Sequence, residues 1–180
     1  LSAHGVYKYD KNEVAHKYYD LVKDYDYPEE LKVYLSANID LDRGLEYLVN
    51  ELEKKDKLKD TVFVITPDHY PYYLNPLGLD VLNLRSDENK NDKYNLHHSS
   101  LIIWNEKDEN KNIDNYASNI DILPTMLNLF GFEYDSRLLI GKDILSSNDG
   151  LVIFSDNSWI NKNGKYDANT DTFFCADKCI

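Results

Sequence analysis

The chain has 180 residues, enough for one domain with a real core, and its 42% hydrophobic content excludes wholesale disorder. Lys+Arg 20 against Asp+Glu 32 leaves a formal net charge of −12, which argues against nucleic acid and anionic membrane surfaces as main partners. No apolar run among these residues reaches membrane-spanning length, and none is expected to act as a signal peptide. With Leu1 first, the expectation is a piece of a longer chain, whose anchors or targeting signals lie outside it.

Leu1-Ser2-Ala3-His4-Gly5 comes first. A histidine among small residues suits a loop where the ring can reach a ligand, and equally a plain surface position. From Asn12 to about Tyr25, Val14, Tyr18, Leu21 and Val22 fall at helical spacing. Pro28 marks the first turn of a longer helix running to about Lys55, with Glu29 and Glu30 at its positive end. Asp42 lies among apolar neighbours on that helix and reads as a polar residue bonded to a nearby loop. A charged stretch, Lys54 to Asp60, then leads into a strand. Helix, charged turn and buried strand are the rhythm of an α/β fold.

After Thr61 comes Val62 to Ile65, a β-branched apolar run that predicts a buried strand of a parallel sheet. It ends in Thr66-Pro67-Asp68-His69-Tyr70-Pro71. Open α/β sheets keep their ligands beyond the carboxyl ends of the strands. Asp68 and His69 are therefore delivered to that place, and both suit a divalent metal with mixed oxygen and nitrogen coordination. Two prolines stiffen the turn that aims them. On spacing alone, a capping aspartate beside an uninvolved histidine explains the pair as well.

Tyr72 to Pro76 is aromatic and proline-rich, and a short helix is predicted over Leu77 to Leu84. Asp87 to Lys93 is a polar loop. Tyr94 to Ser100, with His97 and His98, leads into a second predicted strand, Leu101 to Trp104. Were both histidines in that strand, they would point to opposite faces. Ser118 to Phe130 is predicted helical, with Pro124 near its first turn and Gly131 at its end. Leu151 to Phe154 is a third strand, and Ser158 to Tyr166 reads as a hairpin turning through Asn161 to Gly164. Cys175 and Cys179 are spaced C-x3-C, unlike a zinc knuckle or redox motif, and a disulfide in an oxidising compartment stays open. No linker or repeat interrupts the chain, so one domain is expected.

In order, these stretches resemble the sulfatase-like part of the alkaline phosphatase superfamily, in its lipoteichoic acid synthase and phosphoglycerol transferase branch. Ser2-Ala3-His4-Gly5 is similar to a small-residue-His loop of the family. Tyr34 through Leu48 is similar to the helix before the metal-bearing strand, and Thr61 to His69 to that strand with its paired ligands. Ile120 to Leu127 resembles the Asp-x-x-Pro-Thr helix. Gly141-Lys142-Asp143, then Val152 to Ile160, resemble the closing turn and hairpin.

The resemblance implies an α/β fold, a sulfatase/alkaline-phosphatase-like sheet flanked by helices with a C-terminal β-hairpin. Residues 1–180 would be the C-terminal portion of a sulfatase-like catalytic domain. It implies Asp68 and His69 as ligands of one divalent metal, manganese first, with magnesium or zinc as alternatives. It places His4 near the transferred group, and gives Asp121, Pro124 and Thr125 structural roles. Tyr70 to Asn95 holds no histidine, so the additional ligand of two-metal relatives is missing there, with His97 and His98 the candidates to replace it.

The nucleophile and a further acidic ligand would precede Leu1, in the other half of the domain, which is the implied partner of this one. The implied activity is a phosphoglycerol-type transfer from a lipid or cell-envelope phosphodiester through a covalent intermediate to an alcohol or water, at the extracellular face of a bacterial membrane. This piece alone would be inactive. The alternatives are a sulfate-ester hydrolase, or a non-catalytic domain of the same fold.

Overall fold

The computed structural model describes residues 6–85, 93–107 and 109–176. The chain divides into two compact units, residues 1–109 and 110–180.

The first unit is built on one long helix, α2 (Glu29–Lys54). Its 26 residues make a rod about 39 Å long. Pro28 enters it in an extended conformation, and Glu29 and Glu30 occupy its first turn. It ends where Asp56 turns left-handed at φ 53°. There the Lys57 N–H returns to the Leu52 carbonyl and the Asp56 N–H to that of Glu53, satisfying the last carbonyls.

The single helix expected over residues 12–25 is broken into three short pieces. These are a 3-10 turn at Tyr9–Lys11, helix α1 (Glu13–His16) and a second 3-10 turn at Tyr19–Leu21. Asn12 starts α1 by accepting the Ala15 N–H at 3.2 Å. Tyr19 then turns to α2, its hydroxyl lying 2.6 and 2.7 Å from the two Glu29 carboxylate oxygens. That tertiary bond outweighs the weak helical preference of Tyr18, Tyr19 and Asp20.

Tyr7, Ala15, Leu31, Val33 and Leu74 form the buried core of this unit. Ser36 is buried too, and its hydroxyl donates to the Ala15 carbonyl, so the polar group is satisfied. Beyond Asp40, α2 runs in the open: Leu41, Tyr47 and Leu48 are exposed. Asp42 is exposed as well.

Strand β1 (Phe63–Ile65) pairs with β2 (Ile102–Trp104) in the register Phe63↔Trp104, Val64↔Ile103 and Ile65↔Ile102. The pairing is antiparallel, and Val64, Ile65 and Ile102 are exposed. This corrects the expected buried strand of a parallel sheet. A short apolar run fixes neither the direction of its partner nor what covers its faces. Asn105 fastens one end of the ribbon, donating to the Thr61 carbonyl at 2.6 Å. The unit also carries two short helices, α3 (Pro76–Val81) and α4 (Lys93–Leu96). Asn75 caps α3 through the Gly78 N–H at 2.8 Å.

The second unit pairs helix α5 (Asn119–Leu129) with a small sheet. The Asp121 carboxylate receives the Ser118 N–H at the helix start, 2.8 Å away. Gly131, left-handed at φ 67°, closes the other end, with the Phe132 N–H on Leu127 and the Gly131 N–H on Asn128. Pro124 lies at the sixth helical position, in the interior and not in the first turn as expected. It has no N–H to offer the Ile120 carbonyl.

That gap is where Gly141 packs. A Cβ on Gly141 would fall 2.0 Å from the Ile120 oxygen and 2.5 Å from its carbon. The next residues are then bonded down. The Lys142 N–H reaches Asp121 Oδ1 at 2.7 Å, and the Ile144 N–H reaches the Thr125 hydroxyl at 2.9 Å. Thr125 in turn donates to the Asp121 carbonyl at 2.6 Å. The Asp-x-x-Pro-Thr helix and the Gly-Lys-Asp turn are thus two sides of one clasp.

Strands β3 (Leu151–Ile153), β4 (Trp159–Asn161), β5 (Gly164–Asp167) and β6 (Thr172–Cys175) form an antiparallel sheet in that order. The expected hairpin is its centre: Asn161 faces Gly164 across the loop Lys162-Asn163. Asn161 Oδ1 holds the turn by accepting the Asn163 and Gly164 N–H groups at 2.9 and 3.3 Å. Trp159, Tyr166 and Phe173 align across three strands, and Cys175 is disulfide-bonded. Cys179 lies outside the described residues.

Candidate metal-binding pair and its aromatic surround

Asp68 and His69 follow β1 by three and four residues, in the turn braced by Pro67 and Pro71. Asp68 Oδ1 and His69 Nε2 stand 3.5 Å apart. The aspartate side chain is 81% exposed and the imidazole 36%, so both reach solvent. His69 Nδ1 lies 2.7 Å from the Tyr70 carbonyl oxygen. An oxygen there can only accept, so Nδ1 carries the proton and Nε2 is the nitrogen with the lone pair. That backbone contact orients the ring as metal-binding histidines are usually oriented.

The pair thus offers one carboxylate oxygen and one imidazole nitrogen on the same side of a stiff turn. This donor set fits manganese, magnesium or zinc in part, since each needs at least two further ligands. Among the described residues, no group of three His, Cys, Asp or Glu side chains is placed to hold an ion.

Around the pair the surface is aromatic. The His69 ring lies 4.5 Å from Tyr72, and Tyr72 lies 4.6 Å from Tyr73. Tyr73 meets the buried Tyr7 edge-on at 5.8 Å, and Tyr7 meets Tyr34 at 5.2 Å. The Tyr7 hydroxyl is pushed up to about 12, first by burial and then by Tyr34, Tyr72, Tyr73 and Asp68. The Tyr72 hydroxyl is also raised, by desolvation first, then by Tyr73 and Asp68.

Of the histidines expected near the pair, His97 is brought in indirectly, packing edge-on against Tyr70 at 5.0 Å. His98 is exposed, its N–H bonded to the Asn95 carbonyl. Both follow α4 and precede β2, so the strand argument about opposite faces does not apply. His4 lies outside the described residues. The residues the sequence reading left out are the Tyr70 carbonyl, Tyr72 and Tyr73. The signal for the two rings was the Tyr-Pro-rich run itself; a carbonyl acceptor leaves none.

An α/β chain with an acid and an imidazole at a strand end, and a separate Asp-x-x-Pro-Thr clasp, has the makings of a sulfatase-like domain. The sulfatase family model matches residues 1–132, and the chain belongs to that family. It is 30% identical over 134 residues to a lipoteichoic acid synthase of Staphylococcus saprophyticus, covering 70% of this chain and 20% of that protein. It is 30% identical over 114 residues to lipoteichoic acid synthase 2 of Bacillus subtilis, covering 63% and 18%. The chain therefore spans about a fifth of the length of these curated relatives. The crystal structure of the lipoteichoic acid synthase LtaP from Listeria monocytogenes superposes with a TM-score of 0.66 at 20% identity. That match covers 92% of this chain and 41% of the other, and it establishes the fold.

Proposed function

We propose that this chain is one side of the active site of a metal-dependent phosphoglycerol-type transferase acting on lipid or cell-envelope phosphodiesters. Asp68 and His69 hold one divalent ion, manganese first, with magnesium or zinc as alternatives. The observation that carries this reading is the 3.5 Å Asp68–His69 pair with its imidazole oriented by the Tyr70 carbonyl. Membership of the sulfatase family and relatives named lipoteichoic acid synthase support it.

When bound, the ion would lower the pKa of a hydroxyl nucleophile and screen charge on the phosphoryl oxygens. The remaining ligands and that nucleophile belong to the other half of the domain. His4 is assigned to the transferred group, where its ring can bond a leaving oxygen. His97 stands beside the pair, packed edge-on against Tyr70. The site faces the outside of a bacterial cell membrane, and the disulfide at Cys175 suits such an oxidising compartment.

The family name keeps a second reading alongside, hydrolysis of a sulfate ester. A threonine nucleophile in the complementary half means phosphoryl transfer; a cysteine or serine in a sulfatase signature means sulfate.

The test is Asp68→Ala and His69→Ala in the complete parent protein. Both variants are expected to lose bound metal and turnover together. Wild-type metal content and turnover in either variant would end the assignment.

A further inference from the structure

We infer that Asn163 is a self-modification site. Its side-chain amide leaves as ammonia through a cyclic imide formed with the Gly164 nitrogen, and an aspartyl or isoaspartyl link remains in the turn between β4 and β5. The inference stands apart from the reading of the Asp68–His69 pair and uses only the second unit.

Asparagine is a labile residue, and Asn163 alone of the chain's asparagines is followed by glycine. A side chain on the next residue hinders the approach of its backbone nitrogen to the carboxamide, and glycine has none. The turn leaves this pair open. Asn163 is exposed, and among the described residues its carboxamide has no hydrogen-bond partner. Other carboxamides of this unit are engaged. Asn115 Oδ1 accepts the Gly150 N–H at 3.1 Å, and Asn169 Nδ2 donates to Asp156 at 2.9 Å. The Gly164 N–H lies 3.3 Å from Asn161 Oδ1, beyond the usual span of such a bond. Glycine is also fixed in place, because a Cβ at position 164 would fall 2.3 Å from the Phe174 carbonyl oxygen. The close approach of β6 thus demands the one residue that leaves Asn163 unprotected.

The reaction needs only water. The Gly164 nitrogen gives its proton to solvent base and attacks Asn163 Cγ. The N–Cγ bond forms, the Cγ–Nδ2 bond breaks, and Nδ2 takes a proton from solvent and departs as ammonia. Water then opens the imide. Opening at Cγ restores the backbone with an aspartyl residue. Opening at the main-chain carbonyl routes the backbone through the side chain and inserts a methylene. Either product adds one negative charge. The isoaspartyl product also changes an anchor of the sheet. The Asn163 carbonyl accepts the Ala176 N–H at 3.0 Å, next to the disulfide-bonded Cys175. After rerouting, that oxygen belongs to a free carboxylate outside the backbone path.

The test is incubation of the folded 180-residue protein in mildly alkaline buffer, followed by chymotryptic mapping. The peptide Ile160–Tyr166 carries the site. It should gain about one dalton and split into two products, one of them a methyl acceptor for an isoaspartyl methyltransferase. Ammonia should appear in equal amount. Hydrogen exchange at Ala176 should quicken in the isoaspartyl form. Asn163→Gln should lose both the mass gain and the ammonia. It should keep the parent's urea midpoint, since the sheet bonds the Asn163 backbone and not its side chain. A gain at this peptide only after unfolding in urea would overturn the inference, because the fold would then protect the pair. So would a gain spread alike over the other asparagines, or ammonia release undiminished in Asn163→Gln.

Discussion

The Asp121 carboxylate receives the backbone N–H of Lys142 at 2.7 Å, across twenty-one positions of sequence. Its other oxygen receives Ser118, so one side chain both starts α5 and anchors the turn that follows the helix. The two sequence motifs of this unit are therefore one mechanical object. Its stability should respond as a unit to changes on either side.

The sharpest case is Gly141→Ala. The added methyl would meet the Ile120 carbonyl oxygen at 2.0 Å and its carbon at 2.5 Å, and both of those atoms belong to the backbone. We expect a loss of about 3 kcal/mol in the second unit, at the upper end of overpacking costs. Urea unfolding followed by Trp159 fluorescence would measure it. The counterpart is Gly44→Ala, in the middle of α2 with nothing within 4 Å. There alanine should stabilise by about 0.5–1 kcal/mol, because glycine carries extra unfolded-state freedom. An equal response at the two glycines would remove the basis for the clasp.

Thr125→Val tests the other side. Thr125 is fully buried, and its hydroxyl accepts from Ile144 while donating to the Asp121 carbonyl. Valine keeps the shape and leaves the Ile144 N–H without that acceptor. The expected cost is about 1–3 kcal/mol by the same unfolding measurement. A neutral Thr125→Val would show that the bond contributes nothing.

Alkaline stability should carry the mark of Tyr7. Its hydroxyl is pushed up to about 12 in the folded protein, chiefly by burial. An unfolded tyrosine ionises near pH ~10. Between these values the native chain holds the proton that the unfolded chain has lost, so stability falls as pH rises. The contribution is fully present below about pH 10 and gone by about pH 12, a change of roughly 2–3 kcal/mol. Tyr7→Phe cannot ionise, and its urea midpoint should fall less steeply over that window.

For the isolated 180 residues, titration calorimetry with manganese should show no binding in the micromolar range. Two ligands leave most of the coordination sphere to water. Tight binding would mean that this chain holds a complete site.

The long elements were legible because each has its own start and stop. Pro28 with two glutamates announces α2, and Gly131 closes α5 at the end the sequence marked for it. Sheet architecture was less legible. Strands of three residues have no usable period, so the run Val62 to Ile65 located β1 without revealing its antiparallel partner. Pro124 misled for a tertiary reason. A proline in a helix interior needs its orphaned carbonyl accommodated, and the glycine that does so lies seventeen residues away. At the candidate site, the pattern around Asp68 and His69 was visible as residue types. The Tyr70 carbonyl that sets the imidazole, and the packing of His97 on Tyr70, depend on backbone path and could not be seen.

The β1–β2 ribbon has a tied end and a loose one. At Phe63 and Trp104 the rings meet at 5.4 Å and Asn105 stitches the backbone; at Ile65 and Ile102 the pairing stops in the open. Hydrogen exchange should therefore run as a gradient along three residues, slowest at Phe63 and fastest at Ile65. Asp68 and His69 hang from the fraying end, so capture of an ion would also quench the motion of the strand that carries them.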